Sequence, residues 1–558
     1  MPSPMSSARL LMLAAALSSC AAQTPQPPPP VSPRKVSRPL LPAPPWQARV
    51  SVADGYEAPP PAEPAVLIRG ATLMIGTGQV VPRGSILLQG GKIAAVTEGD
   101  LAPPGGAVII DGAGRFVTPG IIDAHSHLGV YPMPGGTGHA DGNEMTDPVT
   151  PEAQSIDAFW PQDPGIERAV AGGVTTIQVL PGSGNLIGGR AVTLKLRPAP
   201  SPRQMHVPGA PDGLKMACGE NPKRFYGEHK RSPMTRMGNL ALQRAAFLKA
   251  KKLQADWARW GEAESRRIMG EAKGRAAVAA RREERARQQA WCAEDPARAP
   301  CAKWREGWAG RLEDPEPSAP IPGPDRSPGL ETLVAVLEGR VLVHVHCYRA
   351  DDMFAILTLA DEVGFQVRSF HHALEAYKIR GELAARGVSV STWADWWGFK
   401  LEAYDGIPEN AALVHESGGR AVIHSDSAED IQRLNQEASK ALASGRRAGV
   451  QLTDGDAIRW ITLNAAWTLG IDHRTGSLEV GKDADVVLWS KNPLSVYATA
   501  EKVWIDGALV RAVGDGTHAT QGAHERGRSG AWSDFELGQD AATPPPALLP
   551  PAGGGGAQ

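Results

Sequence analysis

What this chain lacks first is an excess of charge of either sign: 58 Lys and Arg stand against 60 Asp and Glu, for a formal net charge of −2. Nothing global in that balance attracts a polyanion, so no nucleic-acid partner is expected. A membrane-spanning run is missing at the N-terminus too, because the apolar stretch Leu10 to Leu17 is too short to cross a bilayer. Cysteine is sparse, five in all, so each is read by its position. What remains is a globular composition, 42% hydrophobic and 21% charged, in 558 residues. That length leaves room for one large domain, a smaller one and appendages.

Arg9 precedes the apolar run, and Ser18, Ser19 and Cys20 follow it. A basic residue, a short apolar stretch and small residues before a cleavage point make a secretory signal. Leu17-Ser18-Ser19-Cys20 resembles the lipobox of bacterial lipoproteins, which implies that Cys20 becomes the lipidated first residue. An ordinary signal with an incidental cysteine is the alternative. The expectation is an exported protein, periplasmic or anchored to the outer membrane, that meets the membrane only through its lipid. In an oxidising compartment, Cys292 and Cys301 are near enough in sequence to close a small loop. Cys218 and Cys347 are expected as buried free thiols.

Residues 1–20 are thus a signal, and 21–60, rich in Pro, Ala and Ser, form an extended tether. Residues 516–558 form a disordered tail of low complexity. Short strands punctuated by Gly and Pro fill 61–118, and the same style returns over 475–515. The two flanks can pair into one sheet domain, with the catalytic domain, 119–474, between them. There, short apolar strands alternate with helical stretches, the pattern of a parallel α/β domain. A helical insertion at about 236–311 interrupts the alternation, with Leu253, Trp257 and Trp260 on one stripe. Its basic run, Arg281 to Arg287, reads as a solvated helix face.

Chemistry concentrates at the strand ends. Thr118-Pro119-Gly120-Ile121-Ile122-Asp123-Ala124-His125-Ser126-His127 closes an apolar strand with two histidines two apart. Residues i and i+2 share a face, so both imidazoles can reach one ion. His344 and His346, His371 and His372, and Asp426 follow at later strand ends. In a (β/α)₈ barrel such ends converge in space. Gly182 to Gly189 is glycine-rich but matches no phosphate motif, so it reads as a tight loop near the barrel mouth.

This order of residues resembles the amidohydrolase superfamily, and within it the imidazolonepropionase-like amidohydrolases, which include prolidase-type dipeptidases. The likeness covers roughly residues 65–513; Gly476 to Asp485 and Val503 to Gly507 look like the C-terminal part of the family's composite β-sandwich. The fold it implies is a (β/α)₈ TIM barrel with a small composite β-sandwich built from both flanks and a helical insertion. Carried over by position, His125 and His127 match the first-strand ligands. His346 matches the fifth-strand ligand, with His344 competing, and His372 the sixth, with His371 competing. Asp426 matches the late aspartate, which binds metal and exchanges protons with the attacking water. Lys215 lies where two-metal members carry a carboxylated lysine; an ordinary lysine paired with an acid such as Glu220 is the alternative.

The resemblance implies one or two divalent ions that activate water and polarise the scissile carbonyl. Zn²⁺ suits these donors best, and Mn²⁺, Fe²⁺ and Co²⁺ also fit. Asp426 and His372 are the expected catalytic groups. Tyr348 and Arg349 are candidates for holding the substrate, a small molecule or short peptide; a structural pair of Arg349 with Asp351 or Asp352 competes. Trp393, Trp396, Trp397 and Tyr404 can wall the pocket or simply pack. The expected activity is hydrolysis of an amide, peptide or cyclic amide bond. A deaminase on the same scaffold, a non-catalytic binding lipoprotein and a structural envelope protein are the alternatives. A homo-oligomer is compatible with all of them.

Overall fold

A computed structural model describes residues 25–47 and 64–513. The signal with Cys20, much of the tether and the C-terminal tail lie outside the described residues. The described chain forms two compact units: 43–47, 64–256 and 325–513 in the larger, 25–42 and 257–324 in the smaller.

The larger unit holds two eight-stranded sheets. The first takes β1 (Val66–Met74), β2 (Val80–Gln89), β3 (Lys92–Glu98), β4 (Val108–Asp111) and β5 (Phe116–Pro119) from one flank. From the other flank come β14 (Val486–Trp489), β15 (Ala500–Ile505) and β16 (Ala508–Ala512). The flanks meet where β5 pairs antiparallel with β14. Ile68, Leu73, Ile86, Val117, Val486 and Trp504 form one buried cluster there, with residues from both flanks.

The second sheet runs through β6 (Ile121–Ser126), β7 (Val174–Val179), β8 (Ile187–Lys195), β9 (Gly213–Ala217), β10 (Leu342–Cys347), β11 (Val367–His372), β12 (Ser389–Thr392) and β13 (Arg420–Ile423). It follows chain order from β6 to β13 and nearly closes into a barrel. At the open seam, Asp426 N donates to His125 O at 3.1 Å. Most strands are buried on both faces, which explains their continuous apolar runs. The all-parallel expectation needs one correction: β8 lies antiparallel to both β7 and β9. Its first residues, Ile187-Gly188-Gly189, read as loop in the sequence because glycine masks a strand start.

Connecting helices carry their own start signals. Asp163 accepts from Gly165 N ahead of Pro164 at a helix start, and Thr453 and Asp456 form a capping box. The expected tether is anchored near its end, where buried Trp46 donates to Glu338 at 3.0 Å. The helix Arg236–Glu294 opens with packed residues: Arg236 pairs with Asp352 and Glu402, and Gln243 donates to the carbonyls of Leu186 and Ala217.

In the smaller unit the remainder of that helix is followed by Ala299–Gly307. Cys292 and Cys301 are joined by a disulfide. The basic run is engaged locally, with Arg282 donating to Leu312 O, Arg285 to Gly310 O and Arg287 to Glu283. Among the described residues no helix is long and apolar enough to cross a membrane.

Candidate metal centre

His125 is buried near the end of β6, and its Nε2 lies 3.2 Å from Nε2 of His127. Asp426 arrives from the segment after β13. Its Oδ1 is 3.4 Å from His125 Nε2 and 3.2 Å from His127 Nε2, and its Oδ2 is 3.8 Å from His372 Nδ1. His127 Nδ1 lies 2.8 Å from Leu180 O, which fixes the ring's orientation. Asp426 and His372 both hold left-handed backbones, at φ 50° and 68°. Such conformations cost about 1 kcal/mol or more outside glycine, and they cluster at functional sites.

The left-handed turn at His372 explains how two adjacent residues reach one centre. In a regular strand His371 and His372 would face opposite sides. Here both join the cluster, in separate layers. His372 lies among the rim rings, 4.5 Å from the His346 centroid and 4.8 Å from that of His125. His371 sits behind them, with Nδ1 2.9 Å from His125 Nδ1 and Nε2 3.0 Å from His344 Nδ1. His344 in turn lies 3.4 Å from Gln178 Nε2. The competing pairs therefore divide: His346 and His372 at the rim, His344 and His371 behind His125.

Lys215 is buried on β9, with Nζ 3.5 Å from His125 Nε2 and donating to Pro181 O at 3.0 Å. No contact with Glu220 is formed; Glu220 pairs instead with Lys400 at 3.5 Å. The glycine loop supplying Pro181 O is tight, since a Cβ at Gly182 would sit 2.1 Å from Asn143 Nδ2. Burial lowers the Lys215 ammonium to about 8, against the pull of Asp426.

Burial likewise holds His125, His346, His371 and His372 well below the usual imidazole value, and His344 and His424 at about 3. These rings are neutral at physiological pH and keep lone pairs to donate. Burial alone would raise Asp426, but the hydrogen bond and charge of His127 outweigh it and hold a carboxylate. Asp123 accepts from Ser425 N at 3.1 Å and His125 N at 3.2 Å, tying β6 to the segment carrying Asp426. Its own carboxyl is pushed up to about 7 by burial.

His424 ends an apolar run, Ala421 to Ile423, and so reads in the sequence as part of a strand. It lies two before Asp426, the same spacing that marked His125 and His127. Its two ring nitrogens and Nδ1 of His372 are buried without hydrogen-bond partners. Orphaned buried nitrogens call for an explanation. Two donor sets, His125–His127–Asp426 and His125–His372–His424, each bring their ligand atoms within 4.8 Å of one another. Neutral imidazoles and a carboxylate around lone pairs that nothing else satisfies fit a divalent metal.

Around this centre, Tyr348 stacks on His372 at 5.2 Å, Trp393 stacks on His372 at 4.4 Å, and Trp396 stacks on Trp393 at 5.1 Å. Lys400 Nζ sits 4.0 Å over the Tyr348 ring. Trp397 and Tyr404 are exposed. Arg349 is engaged, gripping Asp351 with both guanidinium arms at 2.8 and 2.7 Å. Cys218 and Cys347 are buried as expected but are not free thiols. They form a disulfide, Cα–Cα 5.3 Å, that joins the ends of β9 and β10. At a sequence separation of 129, only the barrel's strand order brings them together.

Residues 340–511 match the model of the Amidohydrolase family. An amidohydrolase structure from Thermotoga maritima MSB8 shares 32% identity, with a TM-score of 0.65, over 80% of this chain and 100% of that one. Amidohydrolase tasK from Hapsidospora irregularis is 33% identical over 475 residues, 79% of this chain and 42% of that protein. The 5-methylthioadenosine/S-adenosylhomocysteine deaminase of Symbiobacterium thermophilum is 31% identical over 121 residues, 20% of this chain and 27% of that protein. The chain spans less than half the length of these two curated relatives. It belongs to the amidohydrolase family.

Proposed function

We propose that this chain is a metal-dependent hydrolase of amide, peptide or cyclic amide bonds, of the imidazolonepropionase-like kind that includes prolidase-type dipeptidases. The observation that carries the reading is the convergence of His125, His127, His372 and Asp426 from three strand ends around buried nitrogens that nothing else satisfies. In this reading His125, His127, Lys215, His346, His372 and Asp426 hold one or two ions, Zn²⁺ first among Mn²⁺, Fe²⁺ and Co²⁺. The ring of eight strands is a (β/α)₈-type barrel with one strand reversed, and the shared flank sheet is the family's β-sandwich.

When bound, the metal lowers the pKa of water and polarises the scissile carbonyl. Asp426, kept ionised beside His127, takes a proton from the attacking water and returns it to the leaving nitrogen. His372 orients beside it, with Tyr348 stacked over its ring on the substrate side. Arg349 is the outer substrate group and must exchange Asp351 for a substrate carboxylate. Lys215, with an amine lowered to about 8, can add its neutral nitrogen to dissolved CO₂ and release a proton to water, and the carbamate so formed would supply anionic oxygens to help hold a second ion.

The test pairs elemental analysis of the purified protein with a hydrolysis screen over dipeptides, N-acyl amino acids and cyclic amides. One to two equivalents of metal, lost with activity on chelation, are expected, and His127→Ala should abolish turnover while remaining folded. A protein still metal-free after incubation with Zn²⁺ and Mn²⁺ would overturn the reading. The deaminase match over 121 residues supports a second reading on the same centre; ammonia release from an amidine-like substrate, without amide hydrolysis, would select it. Export and lipidation at Cys20 belong to the proposal as well. Cell fractionation with fatty-acid labelling, lost in Cys20→Ala, is the expected result.

A further inference from the structure

β13 ends at Ile423, and His424, Ser425 and Asp426 follow directly. We propose that His424 is itself a metal donor of this centre, completing an all-nitrogen set with His125 and His372. The inference rests on the metal-dependent reading above and adds to it a ligand that decides which metal is kept.

The ring of His424 is fully buried, stacked 5.0 Å from His125 and set edge-on 5.0 Å from His372. Trp393 closes a further side at 5.1 Å. The backbone that delivers the ring is pinned on both sides. His424 N donates to Thr392 O at 3.2 Å, and Ser425 N donates to Asp123 at 3.1 Å. Yet Nδ1 and Nε2 both lack partners. A histidine kept for its bulk normally satisfies a ring nitrogen. Elsewhere in this chain His415 accepts from Trp460 at 3.2 Å and faces Asp456 at 3.8 Å, and His344 has a polar neighbour at each nitrogen. His424 has two lone-pair positions, one at each nitrogen depending on tautomer, and a ligand atom within 4.8 Å of those of His125 and His372.

The two donor sets share His125 but differ in chemistry. His127 and Asp426 add one nitrogen and one hard carboxylate oxygen. His372 and His424 add only neutral imidazoles. Imidazole favours Zn²⁺, Co²⁺ and related ions, whereas carboxylate oxygen suits Mn²⁺ and Mg²⁺. His424 therefore tilts the centre toward borderline metals.

The full chain, stripped of metal, is titrated with Zn²⁺, Co²⁺ and Mn²⁺ by chelator competition, and the Co²⁺ form is read by visible absorption. His424→Asn and His424→Leu are compared with the unmodified protein, with thermal unfolding as the check of fold. At least a tenfold loss of Zn²⁺ affinity, a smaller loss for Mn²⁺ and an altered Co²⁺ spectrum are expected. Unchanged Zn²⁺ affinity and spectrum in a folded variant overturn the inference while leaving the hydrolase reading intact. Failure of the unmodified protein to bind any of the three ions overturns both. Should both variants unfold, a zinc-edge anomalous map from crystals of the unmodified protein decides: a peak at about 2.0–2.1 Å from a His424 nitrogen supports the assignment, and one out of its reach refutes it.

Discussion

At the scale of single residues, the arrangement behind His125 matters as much as the donors. His371 and His344 form a line of ring contacts from His125 Nδ1 to Gln178, which holds the ring's orientation and leaves His125 Nε2 facing Asp426. Losing such an outer partner typically costs about 10–100-fold in metal affinity. His371→Leu should show that loss in chelator competition, and His371→Gln, which restores a polar atom, should recover part of it. Equal affinity in the two variants would reduce His371 to packing. Much of this site was legible: His125 and His127 stand out because strand periodicity puts i and i+2 together. The choice between His371 and His372 was not, because it turns on the left-handed backbone at His372, which no residue type announces. His424 hid behind Val422 and Ile423, whose apolar run reads as core.

At the scale of elements, the disulfide between Cys218 and Cys347 fastens the ends of β9 and β10, the strands that carry Lys215 and His346. Cys218 N also donates to His346 O at 2.9 Å. A native disulfide typically contributes about 2–4 kcal/mol, and the chain-entropy relation puts a loop this long at about 5 kcal/mol. Reduction, or Cys218→Ser with Cys347→Ser, should lower the melting temperature and speed metal release; Cys292→Ser with Cys301→Ser should leave metal release unchanged. Equal release from the two double variants would show that the bridge does not hold the centre. Alternation of strands and helices gave the sheet's sequence order, but strand direction leaves no mark on composition, so the reversal of β8 escaped. The pairing of Cys218 with Cys347 escaped for a related reason: burial was readable, but adjacency required knowing that β9 and β10 are neighbours.

At the scale of the larger unit, buried Lys195 on β8 meets Asp483 at 2.8 Å and Asp485 at 3.2 Å, and pairs with Asp506, tying the barrel to the flank sheet. Burial alone would lower the Lys195 ammonium, but the three carboxylates outweigh it and raise it. Burial would raise Asp483, yet Lys195 and Lys92 hold it at about 2, below its ordinary 3.8. A folded value below the unfolded one adds stability that is present above pH 3.8 and fades as pH falls toward 2. Asp485, raised by burial, works in the opposite direction. Urea midpoints measured from pH 4.5 down to 2.5 should therefore fall less steeply for Asp483→Asn than for the unmodified protein. Identical slopes would remove Asp483 from the account. The flank strands could be recognised from their Gly and Pro punctuation, but the partner of β5 could not, since it lies on the far side of the barrel sequence.

That seam also sets a timetable. β5 pairs with β14, and Trp489 donates to Thr118 across 371 residues. β5 cannot meet its neighbour until the whole intervening chain has been made. Until β14 docks, the chain presents an unsatisfied strand edge, open to pairing with another copy of itself. Refolding at raised protein concentration is therefore a step at which this edge is open to self-association.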